Sequence, residues 1–221
     1  MKKEIIATSD GSHTISIPEL SITYHSKYGS IQESKHIFIN AGLAFYENLY
    51  HKKSISIFEM GFGTGLNALL SWQYALQQKT SIHYTSIELH PISANEIEQL
   101  NYGKLLNTEK EFLQIHTAKW NHVETMHPLF SLHKIHNSLI HFSTSNLFDI
   151  IFYDAFAPTA QPELWTTEIF NTLYSLLKPN GVLVTYCSKS YVRKNMEAVG
   201  FIIQKIKGPI GKREMIRAIK K

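Results

Sequence analysis

A short apolar strand that leads through a glycine-rich loop into a helix limits the fold of this chain more than any other feature. Residues 55–59 form the predicted strand, Gly61, Gly63 and Gly65 follow at alternate positions, and residues 66–78 have the apolar pattern of a helix. Glycines let the backbone turn sharply and lie directly against a ligand. The first turn of the helix adds unpaired N–H groups and the positive end of its dipole. The segment therefore predicts a cradle for a cofactor.

From this strand onward, apolar strand patterns alternate with helical patterns, which predicts a parallel sheet covered by helices. The predicted strands are 55–59, 83–88, a poorly defined strand within 131–142, 148–154 and 182–187. The predicted helices are 66–78, 93–100, roughly 108–117 and 162–177, and residues 178–181 have the composition of a turn. This alternation indicates an α/β fold of the Rossmann-like kind.

The two ends of the chain differ from this pattern. A helix over 191–199 ends at Gly200, and the strands 201–207 and 213–219 are joined by a loop short enough for an antiparallel hairpin. An NAD-binding domain instead keeps its sixth strand parallel. At the other end, a small β extension over 15–24 and an amphipathic helix over 34–50 predict a cap across the strand ends. We therefore expect an extension at 1–50 and the main domain at 51–221.

Composition limits the cellular compartment, the partners and the metals that are expected for this protein. Cys187 is the only cysteine, so no disulfide framework or thiolate metal site is expected, and a reducing, cytoplasmic setting fits. The sequence shows neither a membrane-spanning apolar run nor a signal peptide. The net charge of +4 permits a nucleic-acid partner without requiring one. No metal is expected, because no paired-ligand spacing occurs among His83, His116, His122, His127, His133, His136 and His141. The oligomeric state stays open, with a monomer favoured.

The residues around the glycines discriminate between cofactors. A phosphate-binding loop would end in Gly-Lys-Ser/Thr, but Gly65 is followed by Leu66 and Asn67. A dinucleotide loop would place its third glycine one residue later, and acidic Glu59 would repel a pyrophosphate. An acid suits a ligand that carries an ammonium or a sulfonium group, and S-adenosylmethionine carries both. A glycine-rich turn without a ligand stays the alternative.

Two further acids end predicted strands on the same edge of the sheet. Glu88 can accept two hydrogen bonds from a ribose diol, although an isolated acid here is more often a solvated strand terminus. Asp154 opens the segment Asp154-Ala155-Phe156-Ala157-Pro158 and suits an amino group of an acceptor. A helix N-cap or a salt bridge is the alternative role for Asp154.

Motifs spread over most of the chain resemble the MnmD family, the tRNA 5-aminomethyl-uridine methyltransferases related to one half of the bifunctional MnmC protein. The glycine loop followed by Leu66-Asn67, the segment 154–158 and Gly211-Lys212-Arg213-Glu214-Met215 carry the specific part of the match. Supporting positions are Asp10-Gly11-Ser12, Thr14, Tyr24-His25-Ser26, Glu33-Ser34-x-His36, Pro162-Glu163-x-Trp165, Arg193, Gly200-Phe201 and Gly208.

This resemblance implies a class I methyltransferase fold, S-adenosylmethionine as donor and the wobble uridine in the anticodon region of tRNA as acceptor. The methyl group would go to the amine of 5-aminomethyl-(2-thio)uridine and give the 5-methylaminomethyl form. The implied cofactor-binding residues are Glu59, Gly61, Phe62, Gly63, Thr64, Gly65, Asn67, Glu88 and Asp154, and Asp154 is also the implied catalytic residue. The family's usual acid near the adenine is missing, and Asn137 is the nearest replacement.

The acceptor side is predicted from aromatic and basic residues near the strand ends. Phe156 and Trp165 are candidate stacking partners for a flipped uridine, and the alternative is that they are core residues. The candidate phosphate contacts, each of which is alternatively a solvated charge, are Lys189, Arg193, Lys194, Lys212 and Arg213. Three rival hypotheses remain: a methyltransferase of the same fold acting on a small amine or a protein, an aminopropyltransferase-like enzyme, and a catalytically silent tRNA-binding module.

Overall fold

The structure is a computed structural model that describes residues 2–221, and it begins with a small antiparallel sheet. This sheet contains β1 (Glu4–Ala7), β2 (His13–Ile17) and β3 (Ile22–Thr23). One continuous helical stretch follows: α1 (Ser30–Ser34), a π-helical segment (Lys35–Ala44) and α2 (Phe45–Tyr50). The stretch thus starts four residues earlier than the sequence predicts, and β1 was not predicted.

An eight-stranded sheet forms the body of the molecule. Its strands are β4 (Ser54–Met60), β5 (Ser81–Glu88), β6 (Val123–His127), β7 (Phe130–His136), β8 (Phe148–Tyr153), β9 (Leu177–Thr185), β10 (Ile202–Lys207) and β11 (Glu214–Ile219). The spatial order is β10-β11-β9-β8-β4-β5-β7-β6. The five central strands, from β9 to β7, are parallel, and β11 is antiparallel to both β9 and β10. The predicted parallel sheet that ends in an antiparallel hairpin is confirmed.

Helices connect the strands and cover both faces of the sheet. They are α3 (Leu66–Gln78), α4 (Ala94–Gln99), α5 (Tyr102–Leu106), α6 (Glu109–Thr117), α7 (Thr167–Leu176) and α8 (Ser190–Ala198). Short 3₁₀ turns lie at Pro18–Leu20, Leu139–His141 and Pro162–Trp165. Because the parallel strands are covered on both sides, all six residues of β8 are buried.

The carboxylate of Asp149, at the start of β8, is buried and is stabilised there by hydrogen-bond donors. Asp149 accepts hydrogen bonds from Lys178 Nζ at 2.7 Å, Tyr46 Oη at 2.9 Å and the Ser56 backbone N–H at 2.8 Å. These donors outweigh burial and hold the pKa of Asp149 below its usual value. The cluster ties α2, β4 and β9 together at the end of the sheet opposite to the loop that follows Met60.

Three local predictions need correction. The poorly defined strand within 131–142 resolves into β7 and a 3₁₀ turn, and the edge strand β6 was not predicted. The helix predicted over 162–177 is interrupted at Thr166, whose extended backbone (φ −83°, ψ 165°) caps α7 through its side chain. The predicted turn at 178–181 lies within β9 as an irregular segment, and Asn180 adopts φ 65° there.

The parallel arrangement determines where a ligand can lie. The carboxyl ends of β4, β5, β7 and β8 meet at one edge, and their following loops bring Gly61, Glu88, Asn137 and Asp154 together. The N-terminal extension borders the same edge, because the ring of Tyr24 packs against Phe156 with centroids 5.0 Å apart.

Candidate active site

A cleft opens at this edge of the sheet. Its walls come from the glycine loop, the loops after β5, β7 and β8, and the N-terminal extension. The residues predicted from the sequence that line it are Gly61, Phe62, Gly63, Thr64, Asn67, Glu88, Asn137, Asp154 and Phe156. The fold therefore brings the donor-side and acceptor-side predictions to one place.

The glycine loop forms a tight turn of bare main chain. Gly61, Gly63 and Gly65 have φ values of 91°, 49° and 72°, in the region that side chains rarely adopt. A Cβ on Gly61 would lie 3.1 Å from the backbone oxygen of Asp154, and one on Gly63 would lie 3.3 Å from the Tyr24 ring. Both the backbone angles and the close neighbours therefore require glycine here.

Glu88 is held in position by two backbone donors. Its Oε2 accepts from the N–H of Gly63 at 3.1 Å, and its Oε1 accepts from the N–H of His90 at 2.7 Å. Each carboxylate oxygen keeps a free lone-pair direction. The carboxylate can therefore accept hydrogen bonds from a ligand diol while it anchors the glycine loop.

Asp154 lies half-buried in the cleft wall beside the glycine loop. Its Oδ2 accepts a hydrogen bond from Asn67 Nδ2 at 3.0 Å. Burial and the nearby Glu33 carboxylate together raise the pKa of Asp154 to about 7, against the opposing effects of the Asn67 donor and the Lys212 ammonium. A carboxyl group that titrates near neutral pH suits proton exchange with an amine.

Glu59 does not line the cleft, so the expectation that it forms part of the donor wall is not met. Its side chain is only 1% exposed and lies behind the glycine loop, where Oε2 accepts from Ser86 Oγ at 2.6 Å. Burial raises the pKa of Glu59 to about 8. Gly65 is also buried, and it faces His116 and Ile115.

Two histidines hold Thr64 in the glycine loop, and sequence reasoning did not assign them to the site. His116 Nε2–H donates to the Thr64 carbonyl at 3.2 Å, and His25 Nε2 lies 2.7 Å from the Thr64 hydroxyl. Burial lowers the pKa of each histidine to about 4, so both rings are neutral near pH 7. His25 stood within a motif of the family resemblance, but no local pattern predicted its contact with a loop 39 residues away.

The two aromatic predictions have different outcomes. Phe156 lines the cleft and packs edge-to-face on Tyr24. Trp165 is only 1% exposed, and its Nε1–H donates to the Phe156 carbonyl at 2.9 Å. The prediction that Trp165 stacks on a base is wrong, because its ring is enclosed in the core, where it anchors the loop that carries Asp154 and Phe156.

Three of the five basic residues border a separate groove beside the 154–158 loop. Lys189, Lys212 and Arg213 line it together with Tyr186 and Cys187. Lys212 Nζ lies 2.9 Å from Glu33 Oε1 and 4.0 Å from the centroid of the Tyr186 ring. The Arg213 side chain is 92% exposed.

The other two basic residues lie on α8 outside this groove. Arg193 pairs with Glu197 at 3.6 Å, and Lys194 is exposed.

Within residues 2–221, His, Cys, Asp and Glu side chains form no group of three or more suited to a metal ion. In the same part of the chain, no helix is long and apolar enough to cross a membrane.

The order of the sheet, the antiparallel β11 and the glycine loop after β4 define a class I methyltransferase fold with a cleft for a nucleoside-type cofactor. The chain belongs to the family of S-adenosyl-L-methionine-dependent methyltransferases, whose family model matches residues 94–221. The predicted fold class, family and cofactor are thereby confirmed.

Individual relatives agree with this assignment. The tRNA 5-methylaminomethyl-2-thiouridine biosynthesis bifunctional protein MnmC of Leptospira interrogans is 30% identical over 211 residues, and the match covers 87% of this chain and 32% of the relative. The protein of the same name from Vibrio campbellii is 27% identical over 213 residues, with 87% and 32% covered. This chain thus spans about a third of the length of these relatives.

Solved structures show the same fold. MnmC2 from Aquifex aeolicus matches with a TM-score of 0.81 and 26% identity, over 100% of this chain and 70% of that one. Spermidine synthase from Thermotoga maritima matches with a TM-score of 0.60 and 16% identity, over 99% and 68% of the two chains. At 16% identity, the match to spermidine synthase shows only that the two proteins share a fold.

The residues present fit S-adenosylmethionine. Gly61 and Gly63 keep main chain bare at the cleft where a Cβ would crowd Asp154 or Tyr24. Glu88 offers acceptors for a diol, and the exposed Leu89 and Ile140 give the same cleft apolar walls for a flat ring.

Proposed function

We propose that this protein transfers the methyl group of S-adenosylmethionine to the primary amine of 5-aminomethyl-(2-thio)uridine at the wobble position of tRNA. The observation that carries this proposal is Asp154, a half-buried carboxyl group with a pKa of about 7 in the wall of the cofactor cleft. The names of the MnmC relatives support the same substrate. A tRNA substrate agrees with a cytoplasmic location.

In this proposal the donor lies along the glycine loop. The main chain of Gly61 and Gly63, with Phe62, Thr64 and Asn67, holds its methionine half, and the Glu88 carboxylate holds its ribose. Asn137 and the apolar side chains beside it face the adenine. When bound, S-adenosylmethionine supplies an electrophilic methyl group next to the loop. Residues 1–50 act as a cap over this cleft, and residues 51–221 form the methyltransferase domain.

Asp154 prepares the acceptor amine in this proposal. A free alkylamine resembles lysine, with a pKa of about 10.4, and so arrives protonated. The amine nitrogen must lose that proton before it forms a bond to carbon, and an Asp154 oxygen is placed to accept it or to accept an N–H bond that aims the lone pair. We infer that aiming contributes more than basicity, since positioning alone can lower a barrier by about 7–11 kcal/mol.

The tRNA would approach across the groove beside the 154–158 loop. Phe156 presents a ring at the cleft for a flipped uridine to stack on, and Lys189, Lys212 and Arg213 lie within reach of the flanking phosphates. The excess of 22 basic over 18 acidic residues favours a polyanionic partner over a polyamine.

The test is a methylation assay on tRNA from cells that lack this methyl group. Purified protein is incubated with isotopically labelled S-adenosylmethionine and this tRNA, and the nucleosides are analysed by mass spectrometry. We expect 5-aminomethyl-(2-thio)uridine to gain one labelled methyl group. Parallel reactions contain small amines or proteins in place of tRNA. Label that appears only in those reactions would overturn the proposal.

A further inference from the structure

A buried polar cluster lies directly behind the glycine loop, and its hydrogen bonds are incomplete. Ser86 Oγ donates to Glu59 Oε2, and the side chains of Asn67 and Tyr84 also face the Glu59 carboxyl group. Nevertheless, Glu59 Oε1, Asn67 Oδ1 and the Tyr84 hydroxyl have no hydrogen-bond partner. Glu59, Asn67 and Tyr84 are all buried, so water does not complete these bonds from the bulk.

The donors and acceptors of the cluster balance only if a proton is added. An ionised Glu59 accepts hydrogen bonds only, Asn67 Oδ1 is also an acceptor, and neither Glu59 Oε1 nor Asn67 Oδ1 has a donor. A proton on Oε1 supplies the donor that Asn67 Oδ1 lacks, and Glu59 still accepts from Ser86 Oγ at Oε2.

Turning the Asn67 amide over does not remove the need for this proton. In the opposite orientation Nδ2 would donate to Glu59, and Oδ1 would lie 3.0 Å from Asp154 Oδ2. Two acceptors at that distance require a proton on Asp154 instead. In either orientation of the amide, one added proton would complete these hydrogen bonds.

We propose that Glu59 and Asp154 share one proton across the side chain of Asn67, and that it resides on Glu59, which leaves Asp154 ionised in the cleft. Burial raises the pKa of both groups. Glu59 is only 1% exposed, whereas Asp154 is partly exposed at the cleft and accepts the Asn67 N–H, so the proton belongs on Glu59 and the negative charge on Asp154. Around Asp154, the Glu33 carboxylate and the Lys212 ammonium act in opposite directions on the same pKa.

This arrangement gives Glu59 and Asn67 the role of positioning residues. Neutral Glu59 keeps the Asn67 carbonyl engaged, so that Asn67 Nδ2 points at Asp154 and stabilises its ionised form. A neutral Glu59 also adds no charge to attract a cationic donor, which replaces the interpretation suggested by the sequence. The inference rests on the proposed function only in assigning the Asp154 carboxylate to the acceptor amine.

The direct experiment is a carboxyl titration by NMR on protein labelled with ¹³C at the glutamate side-chain carboxyl carbon, without donor or tRNA. We expect one glutamate signal to titrate near pH 8 and to be missing in Glu59→Gln. The introduced amide can donate to Asn67 and accept from Ser86, so this variant preserves the bonds of the protonated acid. If every glutamate titrates in its usual acidic range, the proposal is wrong.

A second variant keeps the assignment testable if Glu59→Gln fails to fold. Ser86→Ala removes the donor to Glu59 Oε2, which stabilises the ionised form, so the signal near pH 8 should move to higher pH. A signal that does not respond to Ser86→Ala belongs to another residue and would overturn the assignment.

The link to Asp154 is tested through the pH dependence of methylation by Asn67→Ala at saturating donor. Without the Asn67 N–H, the ionised Asp154 loses a hydrogen bond, so the acidic limb of the rate profile should shift to higher pH. A lower rate with an unmoved profile would show that Asn67 has a structural role only. Failure to methylate tRNA, combined with a protonated Glu59, would overturn the proposed function and leave this inference intact.

Discussion

At the scale of single residues, the chemistry of the site depends on burial more than on residue type. Glu59, Glu88 and Asp154 are all carboxyl groups at the same sheet edge. Burial raises the pKa of both Glu59 and Asp154. Glu88, in contrast, is satisfied by two backbone N–H groups at the mouth of the loop. The three acids are therefore suited to different roles: Glu59 to positioning Asn67, Glu88 to binding a diol and anchoring the glycine loop, and Asp154 to proton exchange with an amine.

Asp154→Asn tests the residue closest to the proposed reaction. Asparagine keeps the size of the side chain but neither accepts a proton nor carries a charge, so single-turnover methylation should slow by about 10²-fold or more. In the unmodified protein the rate should rise with pH through about 7, because Asp154 ionises there, and the variant should lose this rise.

The matched control for Asp154→Asn is Glu98→Gln, the same acid-to-amide change at an exposed position of α4. It should leave both the rate and the pH profile unchanged. Nearly full activity of Asp154→Asn at every pH would mean that Asp154 neither takes the proton nor aims the amine.

At the scale of elements, the glycine loop is positioned by segments distant in sequence. His116 from α6 and His25 from the N-terminal extension hold Thr64 from two sides, while Lys134 Nζ in β7 donates to the His116 carbonyl at 2.8 Å. Burial lowers the pKa of Lys134 to about 8. The loop conformation therefore depends on the packing of α6 and β7 as well as on its own glycines.

Gly61→Ala tests the loop itself. A side chain at φ 91° costs about 1–2 kcal/mol of stability, and its Cβ would lie 3.1 Å from the Asp154 backbone oxygen, at the cleft. We expect a lower free energy of unfolding and a loss of S-adenosylmethionine binding, measured by denaturation and calorimetry. Gly11→Ala is a matched control, because Gly11 has φ 81° with open space around it. It should lose comparable stability and keep its affinity for the donor.

His116→Gln tests the contact between α6 and the loop through its dependence on pH. The folded-state pKa of His116 is about 4 and its ordinary value is 6.5, so the unfolded chain binds more protons between these values. The stability that neutral His116 contributes is complete above pH 6.5 and declines as the pH falls towards 4, by up to about 3 kcal/mol.

The measurement for His116→Gln is the difference in free energy of unfolding between the two proteins across this pH range. The introduced glutamine can donate the same hydrogen bond without titrating, and the contributions of Glu59 and Asp154 cancel in the difference. We expect the unmodified protein to lose stability relative to the variant as the pH falls. A constant difference would show that His116 is not held neutral.

At the scale of the whole molecule, the cofactor cleft and the basic groove both border the 154–158 loop, at different residues of it. Asp154 and Phe156 line the cleft, while Ala157 and Pro158 line the groove with its three basic residues. A tRNA bound in the groove would thus lie beside the cleft that receives the methyl donor.

Arg213→Ala and Lys189→Ala test the groove as the phosphate-binding surface. Each phosphate contact that is lost should reduce the slope of log affinity against log salt by roughly 0.7–0.9. Binding to tRNA is measured over a series of salt concentrations. Lys52→Ala, an exposed lysine before β4 at the far end of the sheet, should leave the slope unchanged. If all three variants keep the slope, the groove does not contact phosphate.

The sequence by itself determined what depends on local preference and chain order. The glycines required a tight turn, apolar alternation with helices required a parallel sheet, and a parallel sheet brings Glu88 and Asp154 to one edge. Only the tertiary structure decided which side chains face the cleft. Trp165 and Glu59 are enclosed in the core, and His25 and His116 reach Thr64 from distant elements. Burial and long-range contacts arise from packing between elements, which no local pattern specifies.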